Sequence, residues 1–225
     1  PAVDSYRLTF GATFANMLLP TALAGDAGRI WLVQKFGLTR RAAIGVGVFD
    51  RLLGLAALGG VVCLGSFLDQ TIVPLWGGIA FAIVFVLVTV VFIFRLKTST
   101  SFGSSERSQQ APHAGVFFSV TALSFAGHIA SVIVVFAFLQ DQGQPVSFAQ
   151  TLVLFPAVLF VAAIPISVGG WGTRELAAVA VFTAIGLAAP VAIAMAFMHG
   201  VTQVLAAGLG TAFYAVRGGR FGTNK

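Results

Sequence analysis

Long apolar runs alternate with short polar segments along almost the whole chain. The runs are Leu8–Gly25, Ala42–Leu68, Thr71–Phe94, Ala114–Leu139, Val146–Thr173 and Leu176–Val216. A helix needs about 20 apolar residues, at 1.5 Å each, to cross a bilayer core, so the pattern predicts membrane helices throughout. The predicted fold class is all-α, a polytopic integral membrane protein.

Prolines interrupt three of these runs. Pro20 breaks the first run, and Pro156 and Pro165 break the fifth. Pro190 divides the last run into Leu176–Ala189, which is short for a full crossing, and Val191–Val216, which can span. The fifth run and the short segment after it must start and end on the same side of the membrane. A re-entrant hairpin and two broken helices both satisfy this requirement.

Composition excludes a soluble protein. Of the 225 residues, 58% are hydrophobic and 9% are charged, whereas soluble domains carry about 25% charged residues. One Cys excludes an intrachain disulfide, and the three His show no metal-ligand spacing with it. The chain also lacks a Walker A motif, so no metal, nucleotide or other cofactor is expected.

The net charge of +6 predicts topology rather than nucleic-acid binding, because the basic residues cluster between apolar runs. Arg29–Arg41, Arg95–His113 and the C-terminus are basic and are predicted to be cytoplasmic; the loops near Asp69 and Asp141 carry no Lys or Arg and are predicted to be outside. The chain reads as one membrane domain, 1–225, with halves 1–97 and 114–225. A Ser/Gln-rich cytoplasmic linker, 98–113, joins them.

A short pattern occurs once in each half: Pro is followed at +5 by Gly and at +9 by Arg, with an acidic residue close to the Arg. The copies are Pro20, Gly25 and Arg29 with Asp26, and Pro165, Gly170 and Arg174 with Glu175; Gly169 and Gly172 lie in the second copy. Paired Pro/Gly-interrupted segments point to the binding site of a transporter, and the loop charges make the two copies inverted. The alternative is that Pro and Gly punctuate any helical membrane protein and match here by chance.

Ionisable residues also lie inside an apolar run. Asp50 is eight residues after Ala42, about 12 Å along a helix, and a charge at the bilayer centre costs at least about 2.5 kcal/mol. Arg51 could hold a lipid phosphate through its planar fork of donors. The alternative is a structural set of ion pairs, Arg51 with Asp26 or Glu175 and Asp50 with Arg29 or Arg174. The candidate substrate-binding residues are therefore Asp26, Arg29, Asp50, Arg51, Arg174 and Glu175.

The segments Asn16–Arg29, Asp50–Arg51 and Pro165–Glu175 resemble the lysylphosphatidylglycerol synthase transmembrane-region family. This is the flippase-type membrane domain of the bacterial multiple peptide resistance factor and its stand-alone relatives. The resemblance covers nearly the whole chain and implies the membrane domain rather than the synthase reaction. It also implies that about two N-terminal helices are missing and that the location is a bacterial inner membrane. Stand-alone relatives are linked to several envelope lipids, so the resemblance does not name the cargo.

Three functions are compatible with these features. The favoured one is a lipid translocase, not an enzyme, that moves a lipid head group between leaflets. The runner-up is a non-transporting membrane partner that presents a lipid carrier to a glycosyltransferase or aminoacyltransferase; the third is an enzyme acting on lipid phosphate with Asp50 or Glu175 as base. The expected partners are a membrane lipid and, as a second candidate, a lipid-modifying enzyme. Nucleic acid is not expected, and no residue pattern specifies an oligomeric state.

Overall fold

The structure, a computed structural model, describes residues 14, 40–99, 114–164, 167 and 169–217. Within these residues the regular structure is entirely α-helical, as predicted. The helices are α1 (Arg40–Leu68), α2 (Leu75–Ser99), α3 (Ala114–Asp141), α4 (Phe148–Ala162), α5 (Thr173–Thr183) and α6 (Ala189–Arg217).

Three of these helices are long and apolar enough to cross a membrane. The candidate spans are Gly47–Leu68 in α1, Phe118–Asp141 in α3 and Ala189–Phe213 in α6. They lie within or close to the predicted runs Ala42–Leu68, Ala114–Leu139 and Val191–Val216, so the helices predicted there are confirmed. Of the predicted run Leu8–Gly25, Phe14 alone is among the described residues. The protein is a multi-pass membrane protein.

The described residues fall into two compact units. The central unit lies within Ile44–Ala157, and the terminal unit lies within Pro1–Ala43 and Val158–Lys225. The central unit contains most of α1 together with α2 and α3, and the terminal unit contains α5 and α6. Helix α4 runs across the boundary.

Close helix approach holds the central unit together. An ideal Cβ placed on Gly65 of α1 would lie 2.8 Å from the Leu152 Cβ of α4, so only glycine lets these helices pack at this distance. His128 Nε2 of α3 lies 3.0 Å from the Gly54 carbonyl oxygen of α1, a contact that gives this histidine a structural role between the two helices.

The loop between α1 and α2 begins with three polar residues, of which Gln70 and Thr71 are exposed. The Thr71 backbone N–H donates to Asp69 Oδ1 at 2.9 Å, and this hydrogen bond lowers the pKa of the Asp69 carboxyl below its usual value. The carboxylate therefore stays charged at neutral pH, which suits a loop in water.

Helix α4 corrects one prediction. It begins with a reciprocal cap, in which Ser147 Oγ accepts from the Gln150 N–H at 3.1 Å and Gln150 Oε1 accepts from the Ser147 N–H at 3.0 Å. The helix then continues through Pro156, so the break predicted there is wrong. Proline removes only one ladder hydrogen bond, and neighbouring helices in a membrane make that loss tolerable.

Helix α4 ends at Ala162 and α5 begins at Thr173. We call the described residues between them, 163, 164, 167 and 169–172, the α4–α5 interruption; Gly169, Gly170 and Gly172 in it have φ of 56°, 80° and 80°. Helix α5 has 11 residues, about 16 Å, roughly half a bilayer core. A turn with Gly186 follows, and α6 begins at Ala189 with Pro190 in its first turn, where proline fits.

Candidate functional site

The site lies at the start of α5, directly after the α4–α5 interruption. Positive φ at Gly170 and Gly172 is a conformation that side chains with a Cβ rarely adopt, so the glycines permit the turn that starts the helix. Two hydroxyls stabilise it: Ser167 Oγ lies 2.8 Å from Thr173 Oγ1, and Thr173 Oγ1 donates to the Gly170 carbonyl at 3.0 Å.

Glu175 caps this helix. The N-cap residue is Gly172, which has no side chain and cannot satisfy the free N–H groups of the first turn. Glu175 supplies the other half of a capping box, because its Oε2 accepts from the Gly172 N–H at 2.6 Å. Its negative charge also complements the positive end of the helix dipole.

Arg174, the next residue back, is a buried cation. Its side chain is 4% exposed, and its Nε lies 3.6 Å from Glu175 Oε1. Neither of these two buried atoms has a hydrogen-bond partner among the described residues. The guanidinium carbon lies 4.9 Å from the centre of the Trp171 ring, a cation–π distance. The ion pair is thus a charge contact, without a hydrogen bond between its two atoms.

Helix α6 forms the other wall of the site. Phe197 packs against Trp171, with ring centres 5.5 Å apart, and Gly200 brings the α6 backbone close to Arg174 and Trp171. One residue earlier, His199 is 2% exposed. Gln203 Nε2 lies 3.2 Å from His199 Nε2, so these two side chains, one turn apart on α6, pair with each other.

The structure brings together only part of the predicted set. Arg174 and Glu175 contact each other, and Gly169, Gly170 and Gly172 lie in the adjoining interruption. Asp50 and Arg51 are exposed residues of α1 in the central unit. Five predicted residues lie outside the described part of the chain: Pro20, Gly25, Asp26, Arg29 and Pro165. A single cavity shared by Asp26, Asp50, Arg51, Arg174 and Glu175 therefore stays a prediction.

Two residues of the site were not predicted from the sequence. Gly200 and Phe197 belong to a long apolar run in which glycine and phenylalanine are common, so neither stands out. Gly inside a helix costs up to about 1 kcal/mol relative to Ala. A helical glycine therefore indicates close packing, but the sequence does not identify the residues that pack against it. Trp171 lies between Gly170 and Gly172, inside the glycine turn.

A family model described as Lysylphosphatidylglycerol synthase TM region matches residues 1–210. No curated protein and no solved structure matches the chain.

Proposed function

The chain belongs to the Lysylphosphatidylglycerol synthase TM region family, and on that basis we propose that it is a lipid translocase of a bacterial inner membrane. It moves a lipid head group between leaflets while the acyl chains remain in the bilayer. The proposed activity includes no covalent step, so the protein is a transporter and not an enzyme.

Burial of Arg174 is the observation that carries this proposal. A guanidinium that is 4% exposed, between apolar helices of a membrane protein, is costly and is characteristic of functional positions. It lies in the first turn of α5, where backbone N–H groups and the helix dipole favour anions. Irregular backbone next to it, in the α4–α5 interruption, is typical of transporter binding sites. We assign Arg174 to the anionic group of the cargo.

We propose that the remaining ionisable residues contact the polar head group as it crosses the bilayer. Asp50 and Arg51 are charged residues within a candidate span, and Asp26 and Arg29 follow the first Pro/Gly segment. Paired charges of both signs lower the cost of a polar route through the bilayer. They also provide contacts for a head group that carries both charges.

Purified protein in liposomes is expected to move a fluorescent lipid between leaflets. The probe is phosphatidylglycerol labelled with nitrobenzoxadiazole, and dithionite bleaches only the outer leaflet. With the protein present, bleaching should continue past the outer-leaflet pool. Protein-free liposomes are the control.

Absence of movement for phosphatidylglycerol, phosphatidylcholine and an undecaprenyl phosphate probe by folded protein would contradict the proposal. It would favour the non-transporting alternative, a partner that presents a lipid carrier. A chemically altered lipid in the same liposomes would instead indicate an enzyme.

The proposal places the C-terminus and the 98–113 linker in the cytoplasm, by the positive-inside rule. Ser104→Cys in a Cys63→Ser background is expected to resist an impermeant thiol reagent in intact cells and to react after the membrane is opened. Gln70→Cys, in the loop near Asp69, is the matched control and should react from outside. Labelling of Ser104→Cys in intact cells would refute this topology.

A further inference from the structure

Gly200 lies at the closest approach between α6 and the start of α5. An ideal Cβ at this position would lie 2.5 Å from Arg174 Nη2, 2.9 Å from Arg174 Cζ and 2.8 Å from Trp171 Cη2. All three separations are below 3.0 Å, which real Cβ atoms essentially never show. A methyl group at Gly200 would therefore displace the guanidinium, the indole or both.

The Nε atom of Arg174 is not held by a hydrogen bond. It has no hydrogen-bond partner among the described residues, and Glu175 Oε1 lies 3.6 Å away. The other oxygen of that carboxylate accepts from the Gly172 N–H. The guanidinium lies 4.9 Å from the centre of the Trp171 ring and directly against the Gly200 backbone.

We infer that Gly200 and Trp171 are positioning residues, which together form a slot that orients the Arg174 guanidinium. Phe197 supports the slot by packing against Trp171, with ring centres 5.5 Å apart. A planar guanidinium stacks on an aromatic ring, whereas an ammonium is a compact point charge, so the slot selects arginine at this position. This inference deepens the proposed function. The transport measurement below depends on that function, whereas the emission and stability measurements do not.

Gly200→Ala is expected to lower the movement of labelled phosphatidylglycerol about tenfold, the size expected when one oriented, charge-assisted hydrogen bond is lost. A background of Trp31→Phe and Trp76→Phe leaves Trp171 as the single tryptophan. In it, Gly200→Ala should shift the tryptophan emission, because the indole loses its packing. Gly127→Ala is the matched control: it also replaces a helical glycine, with nothing within 4 Å of the new methyl, and should leave both readouts unchanged.

The decisive test is the double variant Gly200→Ala with Arg174→Gln. If Gly200 is needed because its missing Cβ leaves room for the guanidinium, Gly200→Ala should cost little thermal stability in the Arg174→Gln background. The emission shift should also be smaller there than in the protein that keeps Arg174. Equal effects of Gly200→Ala with and without Arg174 would overturn the inference, as would wild-type transport and emission in Gly200→Ala alone.

Trp171 provides a second test, should Gly200→Ala fail to fold. Trp171→Phe keeps an aromatic face and is expected to retain most of the transport, whereas Trp171→Leu should lose it while remaining folded. Equal transport by Trp171→Leu and wild type would overturn the inference. If the wild-type protein moves no lipid, the proposed function fails, and the emission and stability couplings between Gly200 and Arg174 still decide whether the slot exists.

Discussion

Arg174→Lys is expected to fold and yet to move lipid head groups about ten times more slowly than the wild-type protein. The substitution keeps a positive charge next to Glu175 Oε1, which lies 3.6 Å from Nε in the wild type, so the buried carboxylate retains a counter-ion. It removes the fork of donors that can hold two oxygens of a phosphate, and it removes the planar group that stacks on Trp171. Loss of about 1.4 kcal/mol of transition-state binding corresponds to a tenfold lower rate.

The measurement is the dithionite assay with labelled phosphatidylglycerol, normalised to the amount of folded protein. Arg40→Lys is the matched control, because Arg40 is the first residue of α1 and is assigned only a topological role. Normal transport by well-folded Arg174→Gln would remove this residue from the mechanism. Normal transport by Arg174→Lys but not by Arg174→Gln would show that charge suffices.

Much of the fold could be predicted because a bilayer leaves few choices. Backbone polar groups in hydrocarbon must be satisfied within the segment, so a long apolar run has to form a helix. For this reason Ala42–Leu68 and Ala114–Leu139 correspond closely to α1 and α3. The same rule does not reveal which prolines interrupt a helix. Pro156 lies in an apolar run, where a proline would be expected to break the helix, and yet it lies inside α4. Packing around it compensates for one lost hydrogen bond.

The site was predicted less completely than the helices. Arg174 and Glu175 were identifiable because charges are rare between apolar runs, and the glycines before them because three in four residues indicate a turn. Gly200 and Phe197 are 26 and 23 positions beyond Arg174 along the chain, in a region without charge or periodic signal. Their contribution depends on how α5 packs against α6, and that packing is a tertiary property.

Glu175 performs two tasks that substitution can separate. Its Oε2 accepts the Gly172 N–H and caps α5, and its Oε1 faces the Arg174 guanidinium. Glutamine keeps an oxygen acceptor for the cap and removes only the charge; alanine removes both. Since Arg174 is buried, loss of the carboxylate leaves a buried cation without its counter-ion, which is the costly way to break such a pair.

Glu175→Gln is therefore expected to lower the free energy of unfolding by about 3 kcal/mol, the lower end for a broken buried pair. The lower end applies because Glu175 is 15% exposed and the paired atoms are 3.6 Å apart. Glu175→Ala should cost about 1 kcal/mol more through loss of the cap, judged by the usual worth of an N-terminal cap. The measurement is reversible unfolding in mixed detergent, with Gln142→Ala in the exposed α3–α4 loop as control.

The double variant Arg174→Gln with Glu175→Gln tests the reason for these losses. Two glutamines keep the acceptor for Gly172 and leave no unpaired charge in the membrane, although the side chain at position 174 becomes shorter. The double variant should therefore be more stable than either single variant, while transport stays low because the anion-binding group is absent. Equal stability of Glu175→Gln and wild type would mean that Arg174 is compensated by another group, and additive losses in the double variant would mean that the two side chains act independently.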